Sequence, residues 1–146
     1  MDIPCCCKIT NTTCDGSRYF EVNTDEVDWS TANASCEERG GKLAKLDTET
    51  SNTYVANYIK YNNLDDEVRG GFWIGLNDID NEGTFGWLDG SVLEAGVYNN
   101  WGGGEPNNKS DRQHCVHLWK KRAFQWYDAY CTSNKGYICE YNALCE

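Results

Sequence analysis

Nine cysteines in 146 residues narrow the folds open to this chain more than any other feature. None of them falls in the CxxC or paired Cys/His spacing of a zinc module, so the pattern reads as oxidised disulfides and a secreted, extracellular address. Three Asn-x-Ser/Thr sequons, at Asn11, Asn33 and Asn108, agree with that compartment. The chain opens Met-Asp-Ile-Pro-Cys, with neither a basic segment nor an apolar core, which suits a mature product whose signal peptide has been removed. No apolar run reaches the roughly 18 residues of a membrane span, so no membrane insertion is expected. The length suits one domain, and six Trp, nine Tyr and four Phe argue for a packed globule. A net charge of −10 repels nucleic acid and anionic membranes alike and makes divalent cations the more natural partner. The one basic cluster, Lys120, Lys121 and Arg122, reads as a solvated turn, with contact to an anionic glycan as the sharper reading.

The order of elements is α+β. Residues 1–18, with Cys5, Cys6, Cys7 and Cys14, show no periodicity and read as a cysteine-rich extension stapled to a domain spanning 19–146. Tyr19 to Val22 reads as a first strand. Asp28 to Arg39 reads as a helix stopped by Gly40-Gly41, and a second helix opens near Asp47-Thr48-Glu49 and runs to about Tyr61 on a stripe of Tyr54, Val55, Tyr58 and Ile59. Phe72 to Leu76 is a continuous apolar run between Gly70-Gly71 and Asn77-Asp78, as expected of a strand buried on both faces. From Asn77 to about Asp111 the chain is glycine-rich with scattered aromatics; loops of that length are functional or disordered, and Phe85, Trp87, Tyr98 and Trp101 favour the ordered, functional case. Three strands follow, at Cys115–Trp119, Gln125–Asp128 and Gly136–Tyr141, with Lys120-Lys121-Arg122 turning the first into the second.

From about Tyr19 to Tyr141 these residues resemble the C-type lectin-like domain. The resemblance rests on Trp73-Ile74-Gly75-Leu76, on Asn77-Asp78 with Glu82-Gly83-Thr84-Phe85-Gly86-Trp87 and Asp89-Gly90, on Trp101 with Glu105-Pro106-Asn107, and on four cysteines in order. It implies two helices flanking small antiparallel sheets, a long calcium- and sugar-binding loop, and the disulfides Cys36–Cys139 and Cys115–Cys131. Closing a loop of about 100 residues by the first bridge is worth roughly 4–5 kcal/mol in the chain-entropy model. Cys5, Cys6, Cys7, Cys14 and Cys145 are left over. An odd remainder points either to a disulfide-linked homodimer through Cys5, Cys6 and Cys7, or to two terminal bridges and one idle thiol.

The resemblance further implies a calcium ion held by Glu105, Asn107, Gln113 and Asp128, with a cis proline between the first two. Calcium takes six to eight oxygen ligands, and the carboxylate and amide of Glu105 and Asn107 supply two. Vicinal sugar hydroxyls would complete the shell while hydrogen-bonding to the same side chains, and Gln113, Tyr127 and Trp101 join the expected sugar-binding set. Glu-Pro-Asn goes with mannose, fucose or N-acetylglucosamine in that family. The pattern departs at Gln113, where the family has a glutamate, and at Tyr127, where it has an asparagine; both losses weaken calcium, toward about 0.1–1 mM or beyond. They open the alternatives of a galactose-binding lectin, a calcium-independent protein-binding module, or an ice- or mineral-binding surface. An auxiliary calcium position would use Asp78, Glu82, Asn108, Gln113 and His114. Two expected carboxylates are missing there, so it is expected to stay empty, with Asp78 and Glu82 ordering the loop. A glycan on Asn108 would crowd the main site.

An enzyme is not expected. His114 and His117, with Ser110, Asp111 or Asp128, lack a strained nucleophile turn and an oriented base. In a strand His114 and Cys115 face opposite sides, so His114-Cys115-Val116-His117 is a poor grip for zinc. Gly102-Gly103-Gly104 lacks the lysine and helix of a phosphate loop.

Overall fold

The computed structural model describes residues 12–14, 18–106 and 112–142. Its elements run β1 (Thr12–Cys14), β2 (Arg18–Val27), α1 (Trp29–Glu38), β3 (Lys42–Leu43), α2 (Glu49–Tyr61), β4 (Phe72–Asn77), β5 (Gln113–Trp119), β6 (Gln125–Tyr130) and β7 (Lys135–Asn142). Short 3-10 turns occupy Leu64–Glu67 and Lys120–Arg122. Among the described residues no helix is long and apolar enough to cross a membrane.

Local chemistry explains both helices. Asp28 caps α1 by accepting a hydrogen bond from the Thr31 amide at 2.8 Å, and Gly40, at φ +86°, turns the chain out of it. Thr48 and Ser51 form a reciprocal capping box at the start of α2. The buried face of α2 carries Ser51, Asn52, Val55, Ala56 and Ile59, while Tyr54 stands 43% exposed. The expected stripe is therefore corrected by about one residue toward the small polar side chains, which reach partners in the core.

The strands join as β1-β2-β7-β4-β5-β6, with β3 added beside β7. The expected sheet was antiparallel; β4 and β7 run parallel, at Phe72↔Gly136 and Trp73↔Tyr137, so the sheet is mixed. β1 is a second correction, because a segment read as aperiodic pairs antiparallel with β2 from Thr12↔Glu21 to Cys14↔Tyr19. Cys5, Cys6, Cys7 and Cys145 lie outside the described residues, as do Asn11, Asn107 and Asn108.

Both implied disulfides are present, Cys36–Cys139 from α1 to β7 and Cys115–Cys131 across the far end of the β5–β6 hairpin. One part of the core packs α2 against the sheet through Val55, Ile59, Phe72, Ile74, Leu118 and Ile138. The other gathers Trp29, Ala32, Leu43, Trp73 and Tyr137 around the first disulfide. Burying each such large side chain is worth about 1.5–3 kcal/mol, which is the main force holding the layers together.

Aromatic packing anchors the described part of the long loop. Trp126 of β6 is fully buried and takes Trp87, Tyr98 and Trp101 edge-on at 5.6, 6.0 and 5.7 Å. Its indole N–H donates to Asn52 Oδ1 at 2.9 Å, tying loop, sheet and α2 at one residue.

Candidate functional site

The loop reaches its site by running alongside β6. The Trp126 amide donates to the Asn100 carbonyl at 2.7 Å, and the Gly102 amide donates to the Trp126 carbonyl at 2.9 Å. Asn100 Nδ2 donates to the Phe124 carbonyl at 3.1 Å, and the Glu105 amide donates to the Gly102 carbonyl at 3.0 Å. This stitching delivers Glu105 to β6, where the Asp128 amide donates to Glu105 Oε2 at 3.2 Å. The Glu105–Pro106 peptide is cis.

Antiparallel pairing supplies the other wall. β5 and β6 are in register at His117↔Tyr127 and Val116↔Asp128. Glu105, Gln113, Tyr127 and Asp128 thereby line one cleft of about 420 Å³, together with His117, Trp119, Lys135, Arg69 and Lys121. Four of the expected site residues are brought together. Asn107 lies outside the described residues, and Trp101 is not part of the lining: its ring packs on Phe85 at 5.1 Å and on Trp126 at 5.7 Å.

The donors Glu105, Gln113 and Asp128 offer oxygen only, through two carboxylates and a side-chain amide. That is the donor chemistry calcium takes. Asp128 is buried, and the carboxylates share the cleft with the cationic Arg69, Lys121 and Lys135. Tyr127 helps shape the cleft: a methyl group on Gly102 would overlap its ring, so the glycine lets the ring approach the loop closely.

His117, Trp119, Arg69 and Lys135 are cleft residues that sequence reasoning missed. Arg69 and Lys135 come from β4's approach and from β7, far from the loop in sequence, and no local signal marks them. His117 is 5% exposed, and its ring meets Trp73 edge-on at 5.9 Å. Burial, and then the Lys135 charge, hold its pKa well below the usual 6.5 against a hydrogen bond that the ring donates to the Tyr127 backbone, so the ring is neutral. Lys135 Nζ stands 5.4 Å from the centre of the Trp73 ring, and burial draws its own pKa down.

The two histidines diverge as alternation in β5 requires, His117 into the cleft and His114 toward Asp78. Asp78 Oδ2 accepts from the Gly83 amide at 2.8 Å, the loop-ordering role expected of it. The sequon Asn33 sits on α1 with its amide nitrogen donating to Glu37 at 2.7 Å.

The lectin C-type domain profile matches residues 25–141. Salivary C-type lectin 2 of Aedes albopictus is 34% identical over 134 residues, covering 87% of this chain and 85% of its own. The galactose-specific lectin nattectin of Thalassophryne nattereri is 33% identical over 127 residues, covering 87% and 76%. Among solved structures, the carbohydrate-recognition domain of cow CD23, determined in the presence of a GlcNAc2Man3 oligosaccharide, superposes with a TM-score of 0.77 at 27% identity over 94% of this chain and 97% of that one.

Proposed function

The chain belongs to the C-type lectin domain family, a non-enzymatic carbohydrate-binding class, and on that premise we propose that the 420 Å³ cleft is a calcium-dependent sugar site for mannose-, fucose- or N-acetylglucosamine-type glycans on cell or microbial surfaces. The observation that carries the reading is Glu105, held on the Asp128 amide and sharing one cleft with Gln113 and Tyr127.

Glu105, Gln113 and Asp128 would hold the ion, with Asn107 as the fourth side chain of the Glu105-Pro106-Asn107 motif. When bound, calcium supplies open coordination positions for two vicinal hydroxyls. Glu105 accepts a hydrogen bond from one hydroxyl and Gln113, through its amide, donates to or accepts from the other. Tyr127, half-buried against Gly102, presents a ring face for the apolar side of the sugar. The neutral Gln113 in the donor set makes the calcium site weak, matched to the millimolar calcium of an extracellular setting. A secreted lectin, with Cys5, Cys6 and Cys7 joining two copies, completes the reading.

A galactose preference is the second reading, favoured by the likeness to nattectin and by the Tyr127 ring in the cleft. The test is a thermal melt of the oxidised protein in about 5 mM calcium and in chelator, followed by a glycan array in both. A site with a dissociation constant of about 0.5 mM should add roughly 1.4 kcal/mol at that concentration by mass action, a rise of a few degrees in Tm. Binding of mannose-type glycans only with calcium supports the proposal, and galactose-type binding moves it to the second reading. A Tm and an array indifferent to calcium overturn both and turn attention to protein partners.

A further inference from the structure

The cleft carries opposite charges toward its two ends. Strand register sets its axis: in the β5–β6 hairpin Val116 faces Asp128 and Trp119 faces Gln125. Gln113 and the contact of Glu105 with Asp128 therefore lie toward one end, and the Lys120–Arg122 turn closes the other. At a strand rise of about 3.3 Å per residue, the step from Val116 to Trp119 puts the turn end roughly 10 Å from Asp128. Arg69 and Lys135 arrive at the turn end by way of β4. Phe72 pairs with Leu118 on one side and with Gly136 on the other, so the residues just before Phe72 and just before Gly136 emerge beside the turn. Arg69, Lys121 and Lys135, from three separate segments, gather at that mouth of the cleft.

Among the described residues, none of these three cations makes a salt bridge. The acidic neighbour is Glu26, which stands outside the cleft lining. Its Oε2 accepts from the Arg69 main-chain amide at 3.1 Å, not from the guanidinium, and its charge also acts on Lys135. The half-buried Lys135 ammonium lies over the Trp73 ring and against Gly70, where an added methyl carbon would stand 2.8 Å from Nζ. The chain as a whole carries a charge of −10, yet in this cleft the cations outnumber the carboxylates Glu105 and Asp128, and a calcium ion bound as proposed would widen the excess. An electropositive cleft on an acidic molecule draws anions to that one place.

Between the two ends stand Tyr127 and Trp119, edge to face with ring centres 5.0 Å apart, a wall along which a sugar can lie. Resting on the sugar reading above, we propose that Arg69, Lys121 and Lys135 form a subsite for an anion carried by the bound sugar, a sulfate ester or a carboxylate. The protein then takes acidic sugars, hydroxyls toward the calcium and anion toward the turn. Arg69 offers a planar fork of N–H donors and the two lysines offer point charges, a set that matches the equivalent oxygens of either group. The three long side chains reach back over part of the span from Asp128, leaving room for about one sugar ring between the calcium ligands and the cations. Lys120-Lys121-Arg122 alone is a solvated turn; Arg69 and Lys135, which only the fold brings beside it, make Lys121 part of a site.

The test is a ligand-observed NMR titration of the oxidised full chain in calcium with matched sugars: N-acetylglucosamine and galactose, each neutral and sulfated at the primary hydroxyl, and glucose beside glucuronic acid. The wild type is compared with the double variant Arg69→Gln, Lys121→Gln; both side chains are exposed, so the fold is kept. In the wild type the charged member of a pair should bind about tenfold tighter, the order of one charge-assisted hydrogen bond. That ratio should shrink severalfold in the double variant and in raised salt, with the calcium-induced rise in Tm the same in both proteins. The pair that shows the advantage names the anion. Equal binding within every pair, or a ratio that the double variant leaves unchanged, overturns the proposal and leaves the calcium-dependent sugar site standing. Loss of neutral and charged sugars alike in the double variant also overturns it, because the cations would then be supporting the site rather than reading an anion. Charged sugars that bind equally in calcium and in chelator, and are lost in the double variant, keep the subsite and overturn the calcium reading. No binding of any sugar overturns both.

Discussion

Tyr127 owes its position to the hydrogen atom that Gly102 carries in place of a side chain. Gly102→Ala should push the ring off the loop at a cost near 1 kcal/mol, the low end for overpacking because the ring is half-exposed. Glycan affinity should drop severalfold with Tm nearly unchanged, and Tyr127→Ala should be insensitive to a further Gly102→Ala; a double-mutant cycle by calorimetry and melting measures both. His117 makes a different prediction. Its folded pKa lies below the ordinary 6.5, so the unfolded chain binds a proton that the folded chain refuses. Stability contributed by the neutral ring is full above pH 6.5 and is lost as the pH falls from there toward the folded value. His117→Phe should flatten the acid side of a plot of unfolding free energy against pH, whatever it does to the plateau; an unchanged slope below pH 6.5 would remove His117 from the account.

The two disulfides act on different elements and should separate in denaturation. Removing Cys36–Cys139, which spans 103 residues and joins α1 to β7, should cost about 4–5 kcal/mol in the chain-entropy model and lower the whole unfolding transition. Removing Cys115–Cys131, which spans 16, should cost about 3 kcal/mol in the same model, and hydrogen exchange should quicken first in β5 and β6. Elements with local signals were legible: the Asp28 cap, the Gly40 stop and the apolar run of β4 each announce themselves within a few residues. β1 was not legible, because it is held by backbone pairing to β2 with no pattern of its own. The parallel pairing of β4 with β7 joins segments more than sixty residues apart in sequence, and nothing local encodes it. The site divides in the same way. Glu105, Gln113, Tyr127 and Asp128 were reached through family resemblance, whereas His117 was weighed only as a catalytic or zinc-binding residue and Arg69 and Lys135 gave no sign, since only tertiary packing brings them to the cleft.

Across the whole molecule, Trp126 is where the loop, the sheet and α2 meet, so its replacement should be felt in all three. Trp126→Phe would leave Asn52 Oδ1 without its buried donor and a gap against three aromatic edges. A loss of about 3–5 kcal/mol is expected from the cavity and the stranded carbonyl together, with near-UV circular dichroism reporting loosened aromatics before the far-UV signal moves. The hairpin that carries Tyr127 and Asp128 has one more property. Its strands are joined at one end by the Lys120–Arg122 turn and at the other by Cys115–Cys131, so covalent bonds close it into a ring. On the proposed sugar reading, tension on a ligand seated against β6 would load the backbone bonds between Asn100–Gly102 and Trp126. The ring behind them has no open end at which to peel, so under load the grip of the loop yields while the strand it grips keeps its shape, and the loop can close on it again.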